Sequence, residues 1–390
     1  MSYSIRTRDQ HLANDGNPKR ILALDGGGLR GILSLGLLQK IENVLRERHQ
    51  AGDDFRLSHY FDLIAGTSTG AIIAATLAMG WTVEEIRKRY MALGERVFTR
   101  SLLRQGVLRA KYDDMTLIAE LKKVYGQKTT LGGPELQTGL LVMTKRLDTG
   151  SPWPLSNNPR GRYFGVRPNQ SVVANSEYPL WQVVRASTAA PRYFDPERIV
   201  IAQGSGEQKS VQGEFVDGGV SPFNNPALLA MMYATMVGYR ISWPTGADKL
   251  LIVSVGTGAA DPTVTHASLA AKQAVDALLS LMNDTATLQE KLLQWLSDGP
   301  TARLINREVG NLEGDVMNGT AALTYRRYNV DLRAGSLREL EPALQDPKVI
   351  ESLSAMDSPA NMTILHRLGT LAAQRDIIPE HFPAAFDLRS

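Results

Sequence analysis

The first 80 residues alternate short apolar runs with longer segments of helical periodicity. Ile21–Leu24 and Phe61–Ala65 are short, continuous apolar runs, typical of strands that are buried on both faces. Apolar residues then recur at helical spacing from Ile32 to Leu45, and Ala71–Met79 is a second helical segment of small and apolar residues. This order of strand, helix, strand and helix predicts a βαβ unit and a parallel sheet.

Later parts of the chain contain further apolar runs that are separated by turn-rich segments. Leu140–Met143, Phe215–Val216 and Leu250–Val255 predict strands because each is short and apolar. Two segments rich in turn residues, Ser151–Asn158 and Gln203–Gly213, predict loops.

The pattern becomes mostly helical from about Leu269 onward. Pro359–Gln374 predicts a late amphipathic helix, and no linker or repeat divides the chain. We therefore expect an N-terminal tail over residues 1–18, an α/β domain over 19–300, and a mainly helical extension over 301–390 that packs on the same domain.

The composition is that of an ordinary soluble globular protein, with 390 residues, 43% hydrophobic and 21% charged. A net charge of +3 is too small to indicate a nucleic-acid polymer as partner. Because there is no cysteine, disulfides, thiolate catalysis and cysteine metal sites are excluded. The polar N-terminus lacks the apolar core of a signal peptide, and Pro226–Gly238, the longest apolar stretch, is shorter than a spanning helix of ~20 residues. We expect a cytoplasmic protein.

A serine lies where the second predicted strand meets the second predicted helix. Gly66-x-Ser68-x-Gly70 matches the nucleophile-elbow pattern, in which a sharp turn exposes the serine hydroxyl above the edge of the sheet. Flanking residues must be small for the chain to close such a turn. The alternative is a glycine-rich turn with a surface serine, but the strand before it and the helix after it favour a nucleophile.

A second glycine-rich turn follows the first predicted strand. Gly26-x-Gly28-x-x-Gly31 matches a dinucleotide-binding fingerprint, which also requires an acidic residue at the end of the next strand. No acidic residue lies there, because position 45 is inside the helix and the next strand ends at Ala65. The better interpretation is an oxyanion hole, in which backbone N–H groups around Gly27 and Gly28 face a substrate carbonyl. Arg30 is a candidate for binding an anionic head group, or for an ion pair at the helix end.

A serine needs a base, and the sequence offers two kinds. There are six histidines, none in a turn context that singles it out: His11, His49, His59, His266, His366 and His381. Asp217 is better placed, because it follows an apolar pair and precedes two glycines. An aspartate acts as a general base when its site tunes its pKa, although Asp-Gly-Gly is most often a simple turn.

Taken in order, these motifs resemble those of the patatin-like phospholipases. The resemblance covers about residues 19–260 and rests on five blocks: Asp25–Gly31, Gly66–Gly70, Ala186–Pro191, Asp217–Gly219 with Asn224–Pro226, and Ser254–Gly258. It implies a three-layer α/β/α fold with a mostly parallel central sheet. It also implies a Ser68–Asp217 dyad, an oxyanion hole of Gly26, Gly27 and Gly28, no metal or other cofactor, and glycerophospholipid esters as substrates.

The chain also contains a segment with the composition of a lipid-interface element. From Arg96 to Lys111 it has five basic residues, no acidic residue and interleaved apolar side chains, a pattern typical of attraction to anionic lipid. Such segments more often pack on a core as amphipathic helices. We expect phospholipid or a membrane surface as partner, with peripheral association at the inner membrane surface as one option.

Three other functions stay open at this stage. One is a Ser-His-Asp esterase that uses a late histidine such as His366 or His381. Another is a phospholipase of antiphage defence switched on by a cyclic nucleotide, for which the segment after Ala260 and Arg326-Arg327 could provide a site. The third is a lipid-binding protein without catalysis. A homo-oligomer is also left open.

Overall fold

The structure is a computed structural model that describes residues 3–98, 112–165, 171–191, 193–204, 209–259, 270–312 and 314–389, with only the backbone of 270–279. The strands are β1 (Lys19–Leu24), β2 (Leu63–Thr67), β3 (Gly139–Arg146), β4 (Pro152–Ser156), β5 (Glu197–Ala202), β6 (Val211–Asp217), β7 (Leu250–Val255) and β8 (Thr324–Tyr328). The helices are α1 (Arg8–Leu12), α2 (Gly31–Arg48), α3 (Leu57–Tyr60), α4 (Thr69–Ala78), α5 (Val83–Val97), α6 (Asp114–Tyr125), α7 (Leu180–Ser187), α8 (Ala227–Thr235), α9 (Ala270–Trp295), α10 (Ala334–Leu340), α11 (Pro347–Ser352) and α12 (Met362–Asp376).

These strands form one mixed sheet around a parallel core. β1 lies between β2 and β7, and β3 and β8 extend the core on either side, with all four pairings parallel. β4 and β6 pair with β3 in the antiparallel direction, and β5 pairs with β6 in the same way. Because β1, β2 and β3 run in parallel, the residues that follow them meet at one edge of the sheet.

Helices cover both faces of this sheet. Along β1, Leu22 and Leu24 belong to the core that contains α2, α4 and α12, whereas Ile21 and Ala23 belong to the core that contains α8. Successive side chains along a strand point to opposite faces of the sheet. The continuous apolar run of β1 is therefore buried in both cores, one on each face. The three-layer α/β/α arrangement expected from the sequence is confirmed.

Three strands differ from the sequence prediction. The loop predicted over Ser151–Asn158 is wrong, because β4 occupies most of that segment and pairs with β3. The two prolines of β4 are typical of a loop, which is why the segment was not predicted as a strand. A strand with a single partner nevertheless tolerates proline. β5 and β8 were also not predicted, although Ile199–Ala202 in β5 is a short apolar run.

The segment after residue 301 is part of the same layered body. It adds β8 to the sheet beside β7, and α12 packs on α2. This packing is very close, because a Cβ at Gly369 would lie 2.2 Å from the Leu33 carbonyl oxygen and a Cβ at Gly36 would lie 2.7 Å from the Thr370 nitrogen. Of the helices in the described ranges, none has both the length and the apolar character that crossing a membrane requires.

Candidate active site

Ser68 occupies the turn between β2 and α4, in a backbone conformation that non-glycine residues rarely adopt. Its φ is +55° and its ψ is −125°. The turn closes only because its neighbours lack side chains: a Cβ at Gly66 would lie 2.3 Å from the Gly70 carbonyl oxygen, and a Cβ at Gly70 would lie 2.3 Å from that of Leu24. A strained serine at the N-terminus of a helix is the geometry of a nucleophile elbow.

Ser68 and Asp217, which are 149 positions apart, share a hydrogen bond. The Ser68 hydroxyl donates to Asp217 Oδ2 at 2.5 Å, and the Gly219 N–H donates to Asp217 Oδ1 at 2.7 Å. Asp217 is the last residue of β6 and is 4% exposed. Burial raises the pKa of this carboxyl group to about 6, although the two hydrogen bonds lower it. A carboxyl group with a pKa this close to neutral pH is suited to act as a general base.

The backbone of Ser68 is held by Ser187, at the end of α7. The Ser68 N–H donates to Ser187 Oγ at 2.8 Å, and the Ser187 hydroxyl donates to the Met143 carbonyl oxygen at 2.6 Å. Two residues further on, the Ala189 carbonyl accepts from the Asp217 N–H at 3.1 Å. One short segment of chain thus supports both the serine and the aspartate.

The three glycines expected to form an oxyanion hole are not equivalent. The Gly26 N–H donates to the Asn224 carbonyl oxygen at 3.1 Å, so its amide is not available to a substrate. This geometry favours Gly27 and Gly28 over Gly26 as donors to an oxyanion. Within the described ranges, the N–H groups of Gly27 and Gly28 have no protein acceptor, and both residues line the cavity above Ser68.

Three contacts fix the shape of this glycine loop. The Thr257 hydroxyl donates to the Gly26 carbonyl at 3.0 Å, and the Tyr90 hydroxyl donates to the Gly28 carbonyl at 2.7 Å. The Leu29 N–H donates to the Met356 carbonyl oxygen at 2.7 Å. The loop is therefore built from distant parts of the chain, and Tyr90 and Met356 were not indicated by any sequence motif.

Arg327, on β8, forms a buried ion pair with the residue that opens the glycine loop. Its guanidinium donates to both Asp25 oxygens, at 3.0 and 2.7 Å, and also to Ser254 Oγ at 2.8 Å. Burial alone would lower the pKa of Arg327, but the Asp25 carboxylate raises it, so the arginine stays charged. Arg327 is one of the two adjacent arginines, Arg326 and Arg327, that were suggested for a nucleotide site. In the structure it supports the glycine loop.

Arg30 lies beside the loop but is not among the described residues that line the cavity above Ser68. It is 6% exposed, and its Nη1 donates to the Ser354 carbonyl at 3.5 Å. Burial lowers the pKa of this guanidinium to about 10. The geometry therefore joins Arg30 to the C-terminal segment.

A large, mainly apolar cavity opens above Ser68 and Asp217. It encloses about 1110 Å³, the open mouth included. Its apolar lining comes from the glycine loop, four helices and three other segments: Leu29, Ile72, Leu93, Phe98, Leu117, Tyr193, Phe194, Val220, Met282 and Met356. A cavity of this size and character fits an extended hydrocarbon chain.

Among the described residues, the cavity lining contains no histidine. His366 lies on α12, and His381 Nδ1 is 3.0 Å from the Tyr328 hydroxyl. His266 lies outside the described residues. Most of the basic segment expected at a lipid interface, residues 99–111, also lies outside them.

Fold and site together define a class: α/β/α proteins with a serine elbow hydrogen-bonded to an aspartate beside a glycine loop. A family model for patatin-like phospholipases matches residues 22–231, and the chain belongs to this family. It is 28% identical to a cGAMP-activated phospholipase of Vibrio cholerae, over 67% of this chain and 70% of the relative. It is 27% identical to patatin-17 of Solanum cardiophyllum (72% and 74%), and 31% identical to a cUMP-AMP-activated phospholipase of Escherichia coli (66% and 71%).

Proposed function

We propose that the protein hydrolyses carboxylic esters of glycerophospholipids through a Ser68–Asp217 dyad. The observation that carries this proposal is the 2.5 Å hydrogen bond from the strained serine to a buried aspartate. Membership of the patatin-like phospholipase family and the apolar cavity support a lipid substrate.

In the first half of the proposed reaction, Ser68 Oγ attacks the ester carbonyl carbon while Asp217 Oδ2 takes its proton. Negative charge develops on the carbonyl oxygen, and the N–H groups of Gly27 and Gly28 stabilise it. Collapse of the tetrahedral intermediate breaks the ester bond. The proton on Asp217 then passes to the departing alcohol, which leaves as the lysophospholipid.

In the second half, water hydrolyses the acyl-enzyme on Ser68. Asp217 takes a proton from the water, whose oxygen attacks the acyl carbon and forms a second tetrahedral intermediate at the same N–H groups. Breakage of the bond to Ser68 Oγ returns the proton to the serine and releases the fatty acid. The apolar cavity holds the acyl chain through both steps.

Hydrolysis of a phospholipid panel by wild type, Ser68→Ala and Asp217→Asn tests this proposal. Both variants should lose at least ~10³-fold in kcat, whereas the control Ser151→Ala, on an exposed turn, should match wild type. Ser68 should also be labelled by a fluorophosphonate probe. Wild-type rates in both variants would refute the mechanism, and a folded protein that is neither labelled nor active would indicate lipid binding alone.

A Ser-His-Asp esterase would behave differently in the same assay. Replacement of His266, His366 and His381 together should leave the rate unchanged if Asp217 is the base. A loss comparable with that of Asp217→Asn, in a protein that remains folded, would favour the triad.

We also propose a cyclic nucleotide as a candidate activator of this hydrolysis. Support comes from relatives in Vibrio cholerae and Escherichia coli that are named as cGAMP-activated and cUMP-AMP-activated phospholipases. Rates measured with and without each nucleotide test this. Full activity without nucleotide, and no increase with it, would count against activation.

A further inference from the structure

The structure contains a second cavity, at the opposite edge of the sheet from Ser68. It encloses about 600 Å³, the open mouth included, and lies where the N-terminal and C-terminal segments meet around the start of β1. Its lining includes Ser4, Arg6, Asn17, Arg20, Asp387 and Arg389. Since Arg20 is the second residue of β1 and the glycine loop follows its last residue, most of the ~20 Å length of a six-residue strand separates the two cavities.

The carboxylates at this cavity are already paired with arginines. Asp62 is fully buried and forms ion pairs with Arg6 at 2.7 Å and with Arg20 at 3.0 Å. Arg48 donates to both carboxylate oxygens of Asp387, at 2.5 and 3.0 Å. Because Arg6 and Arg20 share Asp62 and Arg389 lies nearby, these four arginines and two aspartates carry a net charge of +2. His11, which also contacts Asp62, has its pKa lowered by burial.

Two of the lining arginines have capacity for another acceptor. Arg6 Nη2 is buried and has no hydrogen-bond partner in the described part of the chain. Arg389 is exposed, and its Nη1 donates to Asn17 Oδ1 at 2.9 Å, with no carboxylate partner among the described residues. A buried N–H group without an acceptor is costly, and arginine forks match the oxygens of a phosphate group.

We propose that this cavity is a binding site for a phosphate group, held between Arg6 and Arg389, with the nearby charge of Arg20 adding to the attraction. The available space is many times the ~30 Å³ of one water, so the phosphate can belong to a larger molecule. A bound phosphate would join the N-terminal segment, β1 and the C-terminal segment, and so would stabilise the folded chain in proportion to its occupancy. The site is independent of the chemistry proposed for Ser68.

Titration calorimetry and thermal unfolding with inorganic phosphate, against sodium chloride at equal ionic strength, test the proposal. Wild type should bind phosphate and unfold at a higher temperature, and Arg389→Ala should weaken binding by at least ~10-fold. The matched control is Arg375→Ala, an exposed arginine paired with Asp376, which should bind as wild type. Glycerol 3-phosphate and cGAMP, added separately, show whether a lipid head group or a nucleotide binds more tightly.

No stabilisation beyond that of chloride, or equal phosphate binding by wild type and Arg389→Ala, would overturn the proposal. A second charge variant, Arg6→Gln, removes the guanidinium nitrogen that lacks a partner and should also weaken binding if the protein remains folded. None of these outcomes depends on whether Ser68 hydrolyses a lipid, so the two proposals fail separately.

Discussion

At the scale of single residues, the burial of Asp217 raises its pKa, and the proposed mechanism makes the rate of hydrolysis depend on that pKa. Burial raises this pKa to about 6, and only the ionised carboxylate can accept the Ser68 proton. We therefore expect kcat/KM for a soluble short-chain ester to rise with pH through about 6 and then to level off. A profile that stays flat from about pH 4 to about pH 8 would contradict a role for Asp217 as base.

Tyr90 provides a second prediction at this scale. Its hydroxyl holds the Gly28 carbonyl at 2.7 Å, so Tyr90→Phe should loosen the loop that presents the oxyanion donors. We expect kcat to fall by ~10-fold while KM changes little, because the contact supports the transition state rather than lipid binding. Tyr60→Phe is the matched control, since the Tyr60 hydroxyl is buried without a described partner. Equal losses in both variants would point to a general effect of removing a hydroxyl.

The residues of the candidate site were predictable to the extent that local motifs encode them. Ser68 and Asp217 each lie in a short pattern whose backbone geometry demands glycines, and such patterns are visible in a sequence. The engagement of the Gly26 amide depends on Asn224, and the support from Tyr90 depends on how α5 packs. These contacts join residues that are distant in sequence, so no local pattern can reveal them.

At the scale of elements, strands made of continuous apolar residues were predictable, whereas β8, which is buried but rich in arginine, was not. β1 and β7 are continuous apolar runs because helices cover both of their faces. β8 appears polar in sequence, yet Arg327 is buried on Asp25 and Arg326 donates to the His381 carbonyl. A strand whose charged residues are satisfied by distant partners does not show an apolar pattern.

The same strand leads to a prediction about stability. Arg327→Ala should destabilise the fold by about 3–5 kcal/mol, because it leaves the Asp25 carboxylate buried and unpaired. Urea unfolding measures this loss. Arg333→Ala, which breaks an exposed pair with Asp331, should cost at most ~1 kcal/mol. Similar losses in the two variants would mean that the Asp25–Arg327 pair does not hold β8 to the loop.

At the scale of the whole molecule, the close contact between α2 and α12 connects the two ends of the chain. Gly369→Ala should destabilise the protein by ~1–3 kcal/mol, because the added Cβ would lie 2.2 Å from the Leu33 carbonyl. Gly335→Ala, on α10, has nothing within 4 Å of its Cβ position and should be neutral or slightly stabilising. Thermal unfolding of the two variants tests whether this packing is as tight as described.

The bond from Leu29 to Met356 also determines when the site is complete during synthesis. A ribosome adds ~5–20 residues per second, so the roughly 140 residues from Asp217 to Met356 take roughly 7–28 s to make. During that interval the serine and its aspartate exist, but the segment that holds the glycine loop has not been made. Under the proposed function, a growing chain therefore lacks the complete glycine loop for hydrolysis of a phospholipid until Met356 has been translated.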